Sequence, residues 1–218
     1  IIGDKSLSKR DFLRITKPLE KFGAKFKTSF GRLPIVVEGT KNPTPIRFDE
    51  DKGSAQCKSA VMLAALNTKG QTIIKAKKSR DHTELLFKNL KLPIRVIKKN
   101  KFDIIKIVGK KKIKSFNYKI PSDISSSAFF IVLTALNAGS KLKIKNVNIN
   151  PSRVGVIKIL KKMGVKILFK NIKNYKGEKI ADIYVESAKS LRAINCPPSL
   201  NSSAIDEFLV IFLVAAKA

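Results

Sequence analysis

The chain has 218 residues, 44% of them hydrophobic, which is enough to bury one large core or two smaller ones. No stretch approaches the roughly 18 apolar residues of a membrane span, and no charged leader opens the sequence, so a cytoplasmic protein without membrane contact is expected. The formal charge of +29 suggests nucleic-acid binding. However, only eight of the 45 basic residues are arginine and the lysines are spread over nearly every element, so we expect no nucleic-acid partner.

The first 114 residues alternate between helical and strand patterns. Apolar spacing predicts a helix over 9–22 and two strands over 24–27 and 33–38, followed by a loop with two prolines. Further on it predicts helices and strands in the order helix 57–66, strand 72–75, helix 82–90, strand 94–97 and strand 104–108. Ser54 is the predicted N-cap of the first of these helices and Ser79 that of the second. The charge run 110–114 is expected to be a solvated turn.

Two polar clusters stand at the starts of the helices 57–66 and 82–90. They are Ser54-Ala55-Gln56 and Ser79-Arg80-Asp81-His82. Free backbone N–H groups and the positive end of the helix dipole favour phosphate or carboxylate at such positions. The sequence therefore predicts a site for an anionic small molecule.

The pattern begins again at Pro121. Residues 54–75 correspond to 124–145 with an offset of 70, and Ser79-Arg80 corresponds to Ser152-Arg153 with an offset of 73. A unit of about 70 residues is too long for a solenoid repeat and suits a compact α/β module that is used several times. The chain lacks an initiator Met, and the apolar helix pattern over 205–218 stops without a cap. We therefore expect a piece of a longer protein with further modules.

Six short motifs, in this order, resemble the enolpyruvyl transferases and most closely the 3-phosphoshikimate 1-carboxyvinyltransferases. They are Gly3-Asp4-x3-Ser8-x-Arg10, 52–70, 79–84, 123–139, Asn150-Pro-Ser-Arg153 and Ile205-Asp206-Glu207-Phe208. The resemblance implies an α/β (α+β) fold of repeated βαβαββ modules, an inside-out α/β barrel of which this chain holds an incomplete part. Residues 1–120 would form the later part of the domain that binds the first substrate, and would hold about two modules. Residues 121–218 would begin the second domain with about one module and the start of the next.

The implied reaction belongs to the shikimate pathway of aromatic amino-acid biosynthesis. The enolpyruvyl group of phosphoenolpyruvate is transferred to a hydroxyl of shikimate 3-phosphate, and phosphate is released by addition and then elimination. Both substrates are anions, so such a site needs arginines and lysines for positioning and one carboxylate for proton transfer. The resemblance implies no cofactor or metal, and a monomer when the protein is complete. Family residues that complete the site lie outside this chain, so we expect the chain alone to be inactive.

The resemblance assigns roles to seven positions. Asp206 matches the proton acceptor beside the shikimate hydroxyls, and Arg10 and Gln56 match contacts to phosphoenolpyruvate. The positions that match contacts to shikimate 3-phosphate are Ser54, Ala55, Gln56, Ser79, Arg80 and Asp206. Ala55 departs from the Ser-Ser-Gln form of many bacterial enzymes and removes one hydroxyl.

The residues alone leave simpler interpretations open. Without the resemblance, Ser54 would be a plain helix cap and Arg10 an exposed helix arginine, and Asp206 could be a carboxylate that complements a helix dipole. Asp123 and Arg153 recur in the repeat and in the family, and we interpret both as structural.

Three other functions compete with this prediction. UDP-N-acetylglucosamine enolpyruvyl transferase shares the fold but uses a loop cysteine near the equivalent of residues 3–10, and neither Cys57 nor Cys196 lies there. The second alternative is a basic nucleic-acid-binding protein on a related fold, which only the net charge favours. The third alternative is a homologue that has the fold but no catalytic activity.

Overall fold

The computed structural model describes all 218 residues, and the chain divides into two compact units, Ile1–Lys114 and Ser115–Ala218. The first unit opens with a helical turn, a helix and an antiparallel hairpin: α1 (Lys5–Ser8), α2 (Leu13–Glu20), β1 (Lys25–Ser29) and β2 (Arg32–Glu38). The helix predicted over 9–22 is shorter than expected. It begins at Leu13 because the Asp11 carboxylate accepts a hydrogen bond from the Leu13 N–H at 2.8 Å, which fixes a turn before the helix.

The rest of the first unit is one complete βαβαββ module, called here the first module. Its elements are β3 (Arg47–Glu50), α3 (Ala55–Leu66), β4 (Gln71–Lys77), α4 (His82–Asn89), β5 (Ile94–Lys98) and β6 (Phe102–Val108). The sheet order is β3-β4-β6-β5, with β3 parallel to β4 and the other pairs antiparallel. Strand β3 was not predicted from the sequence, whereas the other strands and both helices were. The charge run 110–114 is exposed, as predicted, but it forms an irregular stretch and not a turn.

The second unit repeats this arrangement, and its repeat is called here the second module. It contains α5 (Ile124–Leu136), β7 (Lys141–Asn148), α6 (Gly155–Lys162), β8 (Lys166–Tyr175) and β9 (Glu178–Glu186), in an antiparallel sheet of order β7-β9-β8. A single parallel bridge between Ser122 and Val147 stands in place of the first strand. A 3-10 turn and two helices follow: Pro198–Leu200, α7 (Asn201–Ala204) and α8 (Phe208–Ala215). The repeat predicted from Pro121 onward is therefore confirmed.

The two modules bury the same positions of their first helices. In α3 the buried residues are Cys57, Lys58, Val61, Met62 and Ala65, and in α5 they include the residues 70 positions later, Ser127, Ala128, Ile131, Val132 and Ala135. The apolar ones belong to the hydrophobic core of their own module: Val61, Met62 and Ala65 in the first, and Ala128, Ile131, Val132 and Ala135 in the second. The buried face of each helix therefore fixes how that helix packs within its own module. None of the helices combines the length and the apolar character needed to cross a bilayer.

Candidate anion-binding site

The start of α3 carries the first predicted cluster. The Ser54 hydroxyl caps the helix by accepting a hydrogen bond from the Cys57 N–H at 3.2 Å, so the predicted cap is confirmed. Ser54 and Ala55 are half-buried and Gln56 is exposed. The helix is twelve residues long, so its dipole and its unpaired N–H groups favour an anion beside this triplet.

Gln56 has a partner that the sequence did not reveal. The guanidinium of Arg14, on α2, donates a hydrogen bond to the Gln56 side-chain oxygen at 3.1 Å. A guanidinium has only donors, so it must face the carbonyl oxygen of the amide. The amide NH2 of Gln56 is therefore directed away from Arg14, where it can donate to a ligand.

The second cluster lies in the loop that leads into α4. Ser79 was predicted to cap this helix, and that prediction is wrong. The cap position is Asp81, whose main-chain oxygen accepts from the Leu85 N–H at 3.0 Å, so Ser79 lies two residues before the cap. The Ser79 hydroxyl is covered by protein and has no hydrogen-bond partner. A buried hydroxyl without a partner costs about 1–3 kcal/mol.

A buried ion pair joins the two clusters. The ammonium of Lys58, in the first turn of α3, lies 2.6 Å from the Glu84 carboxylate in the first turn of α4. It also donates to the main-chain oxygen of Arg80 at 2.8 Å. Beside it, the Ser59 and Thr83 hydroxyls share a hydrogen bond of 2.6 Å. The structure thus holds the Ser79-Arg80 turn against the start of α3.

Sequence reasoning missed Lys58, although a signal was present. Lys58 falls on the apolar stripe of α3 with Val61, Met62 and Ala65, at helical spacing. A lysine at such a position is buried unless the helix turns its other face to the core. Charged residues are rarely buried unless they are paired, so a buried carboxylate partner could have been anticipated.

Arg10 lies in the turn between α1 and α2, where its main-chain N–H donates to the Leu7 oxygen at 3.0 Å. Its side chain is exposed. It is therefore an arginine of a turn and not of a helix. Among the groups described so far, the structure brings together the Ser54–Gln56 triplet, Arg14 and the Ser79-Arg80 loop.

Asp206 belongs to the second unit, in the turn between α7 and α8, and it is exposed. The next residue, Glu207, is buried and stands at the cap position of α8. The Glu207 carboxylate accepts a hydrogen bond from the Ser125 hydroxyl and lies 4.0 Å from the Arg153 guanidinium.

Arg153 also contacts Asp123 at 3.3 Å and donates to the Ser125 hydroxyl at 2.5 Å. Asp123 caps α5 by accepting from the Ser126 N–H at 2.8 Å. Burial acts to raise the pKa of the Asp123 carboxyl, but the hydrogen bonds from Ser126 and the charge of Arg153 outweigh it, and the pKa is lowered. Asp123 therefore stays ionised and ties the start of α5 to the residues before α6. These contacts lie within the protein, which agrees with a structural role for Asp123 and Arg153.

Comparison with known proteins identifies what this arrangement resembles. The family model described as EPSP synthase (3-phosphoshikimate 1-carboxyvinyltransferase) matches residues 1–218. The 3-phosphoshikimate 1-carboxyvinyltransferases of Ruthia magnifica subsp. Calyptogena magnifica and Legionella pneumophila (strain Corby) are 42% and 40% identical to the chain. Each alignment covers 100% of this chain and 49% of the relative.

Solved structures agree with the sequence relatives. An EPSP synthase from Acinetobacter baumannii is 38% identical, with a TM-score of 0.84 over 99% of this chain and 48% of its own. The enolpyruvyl transferase NikO from Streptomyces tendae, at 15% identity, covers 97% of this chain and 50% of its own, and its TM-score of 0.71 shows a shared fold. The predicted fold class is confirmed, and UDP-N-acetylglucosamine enolpyruvyl transferase is not favoured. The chain spans about half the length of the curated relatives it matches, and it belongs to the EPSP synthase (3-phosphoshikimate 1-carboxyvinyltransferase) family.

Proposed function

We propose that the complete protein transfers the enolpyruvyl group of phosphoenolpyruvate to a hydroxyl of shikimate 3-phosphate and releases phosphate. The observation that carries this proposal is the family match over all 218 residues together with the start of α3, which carries Ser54-Ala55-Gln56, and the neighbouring loop before α4, which carries Ser79-Arg80. Donors at the start of a helix and in the loop beside it suit a phosphorylated substrate. The shikimate-pathway enzyme is proposed to act in the cytoplasm as a monomer, without cofactor, metal or nucleic acid.

The first unit is proposed to bind shikimate 3-phosphate. Its phosphate and hydroxyl groups are proposed to be held by the side chains and main chain of Ser54, Ala55, Gln56, Ser79 and Arg80. Ser54 already accepts from the Cys57 N–H, and its hydroxyl hydrogen can still be donated to a ligand.

Phosphoenolpyruvate is proposed to contact Arg10 and Gln56. The exposed guanidinium of Arg10 can grip a carboxylate or phosphate with two parallel hydrogen bonds. The Gln56 amide NH2, directed away from Arg14, supplies a further donor. Both groups are donors, as an anionic substrate requires.

Asp206 is proposed as the carboxylate that accepts the proton of the attacking hydroxyl and also contacts shikimate 3-phosphate. Its exposed position in a turn leaves the carboxylate accessible to a substrate. In domain terms, residues 1–120 are proposed to belong to the first-substrate domain and 121–218 to begin the second.

The test is phosphate release by the product of the complete reading frame that encodes this chain, assayed with phosphoenolpyruvate and shikimate 3-phosphate together and separately. We expect release only when both are present, and little or none from the 218-residue chain alone. UDP-N-acetylglucosamine serves as the control acceptor. Release that depends on the UDP-sugar, or that needs no acceptor, would overturn the proposal.

A second measurement tests the proton acceptor. Asp206→Asn in the complete protein keeps the size of the side chain and removes the base, so kcat should fall by about 100-fold or more. Asp123→Asn is the matched control, because Asp123 is bound within the protein by Ser126 and Arg153. An unchanged kcat in Asp206→Asn would remove Asp206 from the mechanism.

A further inference from the structure

The ion pair between Lys58 and Glu84 is enclosed by the first module. The two side chains are 3% and 4% exposed, and their charged atoms are 2.6 Å apart. The same ammonium donates to the main-chain oxygen of Arg80 at 2.8 Å. A single buried cation therefore contacts the start of α4 and the loop before it, while it is itself anchored in the first turn of α3.

Stability is a weak explanation for such a pair. The desolvation of two buried charges offsets most of their attraction, and apolar residues of similar volume often replace a buried pair without loss of stability. A charged pair in a helix–helix contact therefore needs an explanation other than stability. The Lys58 ammonium donates a hydrogen bond to the Arg80 main-chain oxygen, and an apolar side chain could not replace it because it has no donor.

The second module shows that the fold does not need the pair. The position 70 residues after Lys58 is Ala128, and the position 73 residues after Glu84 is Ile157; both are buried, at 0% and 2% exposure. The same helices thus pack with an alanine and an isoleucine in place of the charges. In that module the loop before α6 is held through the Arg153 side chain, which contacts Asp123 and Ser125.

We propose that Lys58, held by Glu84, is a positioning residue for substrate binding. It fixes the main chain of the Ser79-Arg80 loop against the start of α3, so that donors from both clusters face one anionic group. This inference rests on the proposed function, because it assigns that group to shikimate 3-phosphate. Lys58 itself is enclosed and acts through the loop, so it is not a catalytic residue.

The test places the residue types of the second module, alanine and isoleucine, at the positions of Lys58 and Glu84 in the first. Lys58→Ala together with Glu84→Ile, made in the complete protein, removes one charge of each sign and leaves the net charge unchanged. We expect the thermal unfolding midpoint to stay within a few degrees, because the second module packs this same alanine and isoleucine at its equivalent buried positions. The KM for shikimate 3-phosphate should rise about tenfold, as expected for the loss of a charge-assisted hydrogen bond that holds the site. The KM for phosphoenolpyruvate should change much less.

Lys58→Met with Glu84→Leu is a second version that fills the site with larger side chains if the first variant unfolds. Calorimetric titration with shikimate 3-phosphate gives the same comparison without turnover. If either folded variant binds shikimate 3-phosphate as tightly as the wild type, the inference is overturned while the proposed function stands. If the wild type itself does not bind shikimate 3-phosphate, the proposed function fails, and this inference fails with it.

Discussion

The two modules share a backbone plan and differ in how they fix the loop before their second helix. The first module buries Lys58 and Glu84 and holds the main chain at Arg80. The second buries Ala128 and Ile157 at the corresponding positions. The buried apolar positions that recur in both modules determine the shared fold. The buried positions that are charged in one module and apolar in the other determine how the loop before the second helix is held.

The starts of the first helices differ in the same way. In the second module the Ser126 N–H and hydroxyl both donate to the Asp123 carboxylate, at 2.8 and 3.0 Å. In the first module the cap is the neutral Ser54, and the residue 70 positions before Ser126 is Gln56. An aspartate at the cap supplies its own negative charge to the helix start, whereas a serine leaves room for an external anion. The first module is therefore the better candidate for anion binding.

The largest expected effect comes from breaking the ion pair on one side only. Glu84→Leu leaves the Lys58 ammonium buried without its carboxylate, so the free energy of unfolding should fall by about 3–5 kcal/mol. Ile157→Leu at the equivalent position of the second module is the control, and it should cost less than about 1.5 kcal/mol because volume is conserved. Urea unfolding followed by circular dichroism measures both. Equal losses would show that the two modules do not differ in this respect.

A close helix contact sets the second module apart as well. Gly155, the first residue of α6, approaches α7 so closely that an added Cβ would lie 2.4 Å from the Ser203 hydroxyl oxygen and 2.6 Å from its carbonyl carbon. The first module has His82 at the equivalent position. Gly155→Ala should therefore lower the free energy of unfolding by about 1–3 kcal/mol through overpacking. Gly39→Ala, whose added Cβ meets nothing within 4 Å, is the control for urea unfolding. A neutral Gly155→Ala would mean that α7 can move away at no cost.

The sequence predicted the parts of the fold that follow from side-chain periodicity. Helix α3 was predicted from its run of apolar and helix-favouring residues, α5 from its correspondence to α3 at an offset of 70, and the Ser54 cap from its residue type and position. Strand β3 was missed because its four residues, Arg47–Glu50, include three charged side chains and give no strand pattern. Its pairing with β4 is a tertiary contact that local sequence does not encode.

The contacts that support the candidate site were not predicted from the sequence. Both polar clusters were expected at helix starts, but Ser79 lies outside α4 because the helix begins at His82 and its cap is Asp81. The contact between Arg14 and Gln56 joins residues 42 positions apart, and only the packing of α2 against α3 brings them together. Lys58 carried a periodicity signal, whereas nothing local identified Glu84 as its partner.

The orientation of Gln56 can be tested by removing the donor that fixes it. Arg14→Met keeps much of the side-chain length but cannot hold the amide, so the KM for phosphoenolpyruvate should rise roughly 3–10-fold, the effect of one hydrogen bond. The effect should vanish in a Gln56→Ala background, since Arg14 acts through that side chain. A double-mutant cycle in the complete protein measures this coupling. Losses that simply add would show that Arg14 acts independently of Gln56.

The sheets of the two modules differ in the regularity of their strand pairing, and Asp182 on β9 binds residues in both irregular stretches of the second sheet. In the first module the strand pairs β4–β6 and β5–β6 have an unbroken register. In the second module the pairing with β9 is interrupted between Ile144 and Val147 of β7 and between Lys170 and Lys173 of β8. The Asp182 carboxylate accepts from the Asn146 N–H and from the Asn171 amide, and it pairs with Lys143 at 3.1 Å. The Asn146 hydrogen bond is the main cause that lowers the pKa of Asp182 to about 2, followed by Asn171 and Lys143.

The folded-state pKa of Asp182 lies below the roughly 3.9 expected for an unfolded chain. This carboxylate therefore stabilises the fold above about pH 4, and its contribution is lost as the pH falls towards about 2. Asp182→Asn should lower stability at neutral pH and flatten the dependence of stability on pH in that window. Urea unfolding at a series of acidic pH values measures it. A variant whose stability falls with acid as steeply as that of the wild type would contradict the role of Asp182.

The smallest expected effect concerns the ends of the second helices, which the modules close with the same turn. The Leu92 N–H donates to the Phe87 oxygen after α4, and the Val165 N–H donates to the Leu160 oxygen after α6. Both turns need one residue with positive φ. It is Gly164, at 100°, in the second module and Lys91, at 53°, in the first. A side chain in this left-handed region is strained, whereas glycine adopts it freely.

Lys91→Gly should therefore raise the free energy of unfolding by about 0.5–1 kcal/mol, because the relieved strain exceeds the added flexibility of the unfolded chain. Lys91→Ala is the matched control: it removes the same charge and long side chain but keeps a Cβ, so it should give no such gain. Urea unfolding of the two variants separates conformation from charge. An equal gain from alanine would mean that the lysine charge, and not the backbone conformation, limits stability at this turn.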